Sequence, residues 1–209
     1  ALSAEEAAEY YTDDWSETTV KTNVAQNKAA GGTSYKSGDA VDNAERRINV
    51  AFKAFDGDAF TEKEDTTAKP DTSTSEMNSF WKGYHADSSL CVDLGETRTV
   101  SEVEIQWRYG GKGKDFNILV SDDGENWTTA KEVRGNGDFF NTVSLDEPTE
   151  ARYVKMQGIA SNASAGIYMI QEFKVYETVD KTQLNTLLKQ AEELINCLLY
   201  TSDAADDLT

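Results

Sequence analysis

The sequence predicts an all-β domain, a sandwich or barrel of short strands, followed by a short C-terminal helix. Three observations carry that prediction. Apolar and polar residues alternate: "VSEVEIQW" puts Val103, Ile105 and Trp107 on one face, and "FNILVS" does the same with Phe116, Ile118 and Val120. The alternating runs are separated by turn-rich pieces, "SDDGENW", "RGNGD" and "LDEPTE". At Val179 the apolar period changes from two residues to that of a helix.

Taken in order, residues 1–22 are acidic, beginning as a short helix and turning extended at "TTVKT"; they read as a flanking segment from an upstream domain. Residues 23–177 form the β domain. Within it, "NVAFKAFDGDAF" runs nearly apolar until Asp56-Gly57-Asp58, read as an irregular turn after a strand. The polar, Thr/Ser-rich stretch "TEKEDTTAKPDTSTSEMNS" (61–79) is an insertion, a surface loop that either moves or functions. Further strands are expected at "NTVSL", "ARYVKM" and "EFKVYE". In "VDKTQLNTLLKQAEELIN" Leu184, Leu187, Leu188, Ala191, Leu194 and Ile195 form one stripe, with Asp180 or Thr182 as N-cap. That stripe has too few partners in this chain, so 178–196 reads as the start of a truncated helical unit. Residues 197–209 fit neither pattern. They resemble a translated sequencing adapter: the codons TGT-CTC-TTA-TAC-ACA-TCT-GAC-GCT-GCC-GAC spell Cys197 through Asp206 residue for residue. On that reading the chain is a metagenomic fragment and Cys197 carries no biology; the competing reading is a genuine acidic tail.

Composition narrows the function. The 209 residues carry a formal charge of −18, which repels phosphate backbones and anionic headgroups, so nucleic acid is excluded as a partner and a membrane is disfavoured. Two cysteines without a Cys-x-x-Cys spacing argue against a disulfide framework or zinc ribbon, and Cys91 in "LCVDLG" reads as a buried free thiol. No apolar run approaches the length of a membrane span, and Ala1 in place of an initiator Met implies a chain that starts inside a longer one.

"NVAQNKAA", "KAFDGD", "FW", "VDLGETRTVSEVEIQW", "FNILVSDDGENW", "ARYVKMQG" and "QEFKVYE" occur in this order over residues 23–177. Together they resemble a discoidin domain, the coagulation factor 5/8 type C family, whose bacterial branch is carbohydrate-binding module family 32. The resemblance implies a galactose-binding-domain-like jelly roll of eight strands, with chain ends at one pole and binding loops at the other. The helix after Val179 resembles the start of a small helical repeat found beside such modules in large secreted glycosidases.

Catalysis by Asp56 and Asp58 would require an acid and a base on facing walls of a cleft, which neighbours two apart in a Gly turn do not offer. An irregular turn suits calcium better, since that ion takes six to eight hard oxygens, many from carbonyls. By the resemblance, the turn holds a structural calcium: Asp58 through its carboxylate, Phe55 through its carbonyl, Ser79 through its hydroxyl and Glu172 through the closing carboxylate. Asp56 is then structural, Thr61 is the local competitor of Ser79, and a metal-free Asp-Gly turn is the alternative.

Sugars are held by an aromatic ring on their C–H face and by planar donors to their hydroxyls. The resemblance makes Arg108 the first candidate, with Lys112 or Lys114 near a second polar contact. The family's galactose-reading His would fall near Asn78, whereas the single His stands at His85; galactose specificity is therefore not inherited, and His85 is kept as a candidate contact, with a plain surface histidine as the alternative. Tyr84, Tyr109 and Phe139 are candidate stacking rings. Phe140 and Tyr168, like Trp81, Trp107 and Trp127, are read as core.

The function expected is therefore a non-catalytic carbohydrate-binding module of a secreted or cell-surface bacterial protein. Its partner is a glycan or polysaccharide, and it anchors a glycoside hydrolase domain in the same parent chain. A protein- or membrane-adhesion discoidin domain is the alternative. A hydrolase in its own right would need a nucleophile with a positioned base, and no Gly-x-Ser-x-Gly elbow occurs.

Overall fold

The structure, a computed structural model, describes residues 19–32, 51–61, 64–70, 79–164, 166–182 and 185–195. The expectations for residues 1–18, for Asn78 and for the tail after residue 196 lie outside them. Two units are distinguished: residues 22–177, and the flanking residues 1–21 with 178–209. In the second, residues 185–195 are helical, and Leu187, Leu188, Leu194 and Ile195 are exposed. Among the described residues no helix is long and apolar enough to cross a membrane.

The β domain is built from eight strands: β1 (Thr19–Asn23), β2 (Ala29–Gly32), β3 (Trp81–Gly83), β4 (Ser89–Trp107), β5 (Gly113–Ser121), β6 (Thr128–Val133), β7 (Phe140–Ser161) and β8 (Tyr168–Asp180). Their order is β1-β8-β4-β7-β5-β6, with β2 added beside β4 and β3 beside β8. β2 with β4, β3 with β8, β4 with β7 and β8, and β5 with β6 and β7 all pair antiparallel.

Two strands belong to both layers of the sandwich. β4 and β7 pair over most of their lengths, but the register jumps twice, at Asp93/Arg98 and at Val100/Glu102. Extra residues on one strand bend and twist the pair. Ser89–Asp93 thus lies in one layer with β2, β5, β6 and the second half of β7, and Arg98–Trp107 in the other with β8 and the first half of β7. Side chains from the two layers meet inside: the Trp107 ring on β4 stands 5.4 Å edge-on to Phe116 on β5. One core runs through the domain, including Leu90, Val92, Val103, Ile105, Ile118, Val154, Met156, Ile170 and Phe173, all fully buried.

Bending β4 and β7 back over the core places their four ends together. The connections β3–β4 (84–88), β4–β5 (108–112), β6–β7 (134–139) and β7–β8 (162–167) therefore gather at one pole. Hydrogen bonds tie them: Asn162 N donates to Lys112 O (2.8 Å), Met169 N to Gly111 O (2.7 Å), Trp107 N to Phe139 O (2.8 Å) and the Tyr168 hydroxyl to Ala86 O (2.8 Å). Val24 N donates to Val175 O, so the domain's two ends run side by side.

Several expectations need correcting. "NTVSL" and "ARYVKM" are parts of one strand, because "LDEPTE" is a bulge within β7 rather than a turn between strands. The segment before Asp56 is a 3-10 turn, Ala51–Ala54, and not a strand. Trp81 and Trp107 are core, but Trp127 is half-exposed: its indole N–H donates to Gly124 O, and the Lys155 ammonium lies 3.7 Å over its ring. Phe139 is buried while Phe140 is only partly so. Cys91 is a half-buried thiol, its pKa pushed up to about 11 by desolvation.

Candidate functional site

The Asp56-Gly57-Asp58 turn is fastened to β8 115 residues away. Gly57, at φ 85°, supplies a backbone shape that other residues rarely adopt, and from it Gly57 N donates to Glu172 Oε2 at 3.2 Å. Asp58 N donates to Asp56 Oδ1 at 3.0 Å, and the Ser79 hydroxyl donates to Asp56 Oδ2. The Phe55 carbonyl accepts from Asn27 N at 2.7 Å, while its ring packs edge-on against Phe173 in the core. The four residues expected at a metal thus lie on segments that converge here. Thr61 is exposed at the end of the turn.

Glu172 gives the turn its electrostatic character. It is 1% exposed; its Oε1 is buried without a hydrogen-bond partner among the described residues, and burial, with Asp56 adding, pushes its carboxyl up to about 8. The Gly57 N–H and Lys174 pull the other way. A buried acceptor left unmatched beside further carboxylates is a cost that a hard cation would relieve. Among the described residues no three His, Cys, Asp or Glu side chains form a cage by themselves, so a cation here would draw on carbonyl and hydroxyl oxygens as well. The donor chemistry fits calcium on those terms.

At the loop pole lies a cleft of about 220 Å³ lined by Tyr109, Gly110, Gly111, Lys112, Phe139, Asn162 and Ala163. Gly111 is required by its closeness to β8, where a Cβ would come within 2.6 Å of Met169 N. Tyr109 is 63% exposed and Phe139 8%, so one ring stands in solvent and the other forms the floor. Lys112 Nζ lies 4.2 Å over the Phe139 ring and donates to Gly137 O. Desolvation lowers its pKa, with Asp138 opposing.

Three predicted sugar contacts, Tyr109, Lys112 and Phe139, are therefore brought together. The other three are not among the lining residues. Arg108 turns from the cleft: its guanidinium covers Phe80 at 4.4 Å and Phe60 at 5.6 Å, and Nη1 donates to Gln171 Oε1 at 2.5 Å. Tyr84 and His85 stand on the β3–β4 connection, Tyr84 half-buried beneath the Lys82 ammonium and His85 exposed. Lys114 is exposed on β5, and Tyr168 is core.

Sequence reasoning missed three residues that build this end. Gln171 is fully buried and binds both Arg108 and the Asp58 carbonyl; an adjacent Gln-Glu pair inside the apolar run "YMIQEF" was its signal. Asn136 braces the cleft wall, donating to Gly113 O (2.8 Å) and accepting from Asp138 N (2.9 Å) and Asn141 Nδ2 (2.8 Å). Lys69, in the insertion, places its ammonium 4.1 Å over the Tyr109 ring. The insertion reaches this position because the Thr66 carbonyl accepts from Phe139 N at 2.7 Å and the Thr66 hydroxyl donates to Asp138 at 2.9 Å.

No curated protein sequence matches the chain. Among solved structures it is similar to chitosan-binding module 2 of a chitosanase/glucanase from Paenibacillus sp. IK-5, solved with chitotriose (23% identity, TM-score 0.55, covering 74% of this chain and 99% of that one). It is also similar to the family 32 carbohydrate-binding module of NanJ from C. perfringens, solved with galactose (24% identity, TM-score 0.53, 76% and 100% covered). The lectin domain of lectinolysin, complexed with Lewis B antigen, is a third (20% identity, TM-score 0.54, 75% and 96% covered). These likenesses establish the galactose-binding-like β-sandwich fold. The F5/8 type C domain matches residues 33–173, more than half of the sequence, and the chain belongs to that family.

Proposed function

We propose that this chain is a non-catalytic carbohydrate-binding module that holds a larger secreted bacterial glycoside hydrolase against glycans. The observation that carries the proposal is the loop-pole cleft, where an exposed Tyr109 ring, a Phe139 floor, the Lys112 ammonium and the Asn162 amide converge. An aromatic face takes the C–H side of a pyranose while short polar groups reach its hydroxyls. The saccharides bound by structural neighbours support the same reading. A site this small gives weak single-site affinity, and tethering to a catalytic domain would raise the local concentration.

Calcium belongs to the proposal as a structural ion. Glu172, Asp58, the Ser79 hydroxyl and the Phe55 carbonyl would hold it, with Asp56 orienting Ser79. It would hold Glu172 in its charged form and pin the turn to β8. Arg108 acts behind the cleft, fixing the start of the β4–β5 connection through Gln171.

A glycan-array screen of the 209-residue chain with calcium present, repeated on Tyr109→Ala, tests this. The expected result is a defined set of saccharides bound by the parent and lost in the variant. Absence of binding to every saccharide would overturn the reading.

A further inference from the structure

The cleft's charge runs against that of the chain. Acidic residues outnumber basic ones 38 to 20, yet none of the residues lining the cleft is a carboxylate, and the one formal charge among them is the Lys112 ammonium. Lys112 is not a freely swinging surface cation. Its Nζ is anchored between the Phe139 ring and the Gly137 carbonyl, which leaves donors at a fixed point on the cleft wall. A second ammonium, that of Lys69, sits over Tyr109 at the same cleft and arrives on the insertion. The carboxylate that acts most on Lys112 is Asp138, whose Oδ1 already accepts the Thr66 hydroxyl.

Resting on the reading of the cleft as a saccharide site, we propose that it selects carboxylated saccharides, with Lys112 and Lys69 reading the carboxylate of a sugar ring stacked on Tyr109. A neutral sugar would add no charged partner to the partly desolvated Lys112, which has a carbonyl, a ring face and the neighbouring Asp138. A carboxylate supplies a charge-assisted hydrogen bond, about twice as strong as a neutral one. A polyamine saccharide such as chitosan would face two ammonium groups. The overall charge of −18 does not decide the matter: at physiological salt it is screened beyond about 8 Å, so Lys112 in the cleft and Lys69 over Tyr109 dominate at contact. The insertion thereby acquires a role, since the second cation comes from it.

Calorimetric titration of the 209-residue chain with two matched pairs, trigalacturonate against its methyl ester and sialyllactose against lactose, tests the proposal. At least one acid is expected to bind about tenfold or more tightly than its neutral partner, as one charge-assisted contact requires. That preference should disappear in Lys112→Gln, shrink in Lys69→Gln and persist in Lys112→Arg, with all three variants melting as the parent does. Equal binding within both pairs, or tighter binding of chitotriose than of either acid, overturns the charge selection and leaves the saccharide reading standing. No binding of any saccharide, neutral or acidic, removes both.

Discussion

Arg108 and Asp58 are joined through one side chain: the Gln171 amide accepts from the guanidinium at 2.5 Å and donates from its other end to the Asp58 carbonyl and, at 3.3 Å, to the Asp58 carboxylate. The amide is fully buried, so the turn proposed for calcium and the connection that carries Tyr109 share a bond partner inside the fold. Replacing it with Met keeps the volume and removes both ends of the bridge. A buried polar network broken in this way costs about 1–3 kcal/mol. Gln171→Met should therefore unfold at lower denaturant with an unchanged slope, and a variant as stable as the parent would show that the bridge adds nothing.

Removal of calcium should destabilise the domain. A ligand present at a hundred times its Kd adds about 2.7 kcal/mol, which for a domain of this size is roughly 5–10 °C in Tm. Chelation of the parent should lower Tm by that order, and re-addition should restore it. Glu172→Gln, which removes the closing carboxylate, should melt at one temperature with or without chelator. A parent indifferent to chelator would rule the ion out.

The strands were legible because burial on one face writes itself into every second residue, as Val103, Ile105 and Trp107 show. The joints between them were not. The turn residues of "LDEPTE" suggested a break, yet residues 145–148 fall where the register with β4 jumps, opposite Ser101, and Pro148 there withholds no ladder N–H. Trp127 looked like core because the resemblance fills its position with a core residue, but its place after the β5–β6 turn turns it outward under Lys155. At the site, Tyr109, Lys112 and Phe139 could be named singly. That Lys69 would join them depends on how the insertion docks on β7, and no local pattern records that.

Asp93 and Arg152 form a two-pronged pair across β4 and β7, Nε to Oδ1 at 2.8 Å and Nη2 to Oδ2 at 2.9 Å. The side-chain hydrogen bond from Arg152 is the largest cause holding the Asp93 carboxyl down at about 2, from an ordinary value of 3.8. A depressed folded-state pKa contributes stability that is complete above the unfolded value and lost as pH falls through the folded one. The pair should thus be fully effective above pH 4 and lost as pH falls through about 2. Both side chains are partly exposed, so solvent screening keeps its worth small. Asp93→Asn should be slightly less stable than the parent at pH 7, with the difference closing towards pH 2. A gap that stayed constant with pH would assign it to packing instead.

Tyr109 and Arg108 are neighbours with opposite surroundings, and their variants separate binding from stability. Tyr109 is mostly exposed, so Tyr109→Ala removes a ring that supports little of the fold but, on the proposal, the platform of the cleft. Saccharide affinity should fall about tenfold, in keeping with one lost stacking contact worth about 1 kcal/mol beyond its buried area, while Tm stays put. Arg108 is half-buried, covers Phe60 and Phe80, and holds Gln171. Arg108→Ala strips that cover and leaves the Gln171 oxygen unmatched, so Tm should fall first, and affinity only as far as the β4–β5 connection loosens. Calorimetric titration and thermal melts on the same two variants decide between the roles. Loss of binding in Arg108→Ala at unchanged Tm would place the guanidinium at the sugar itself.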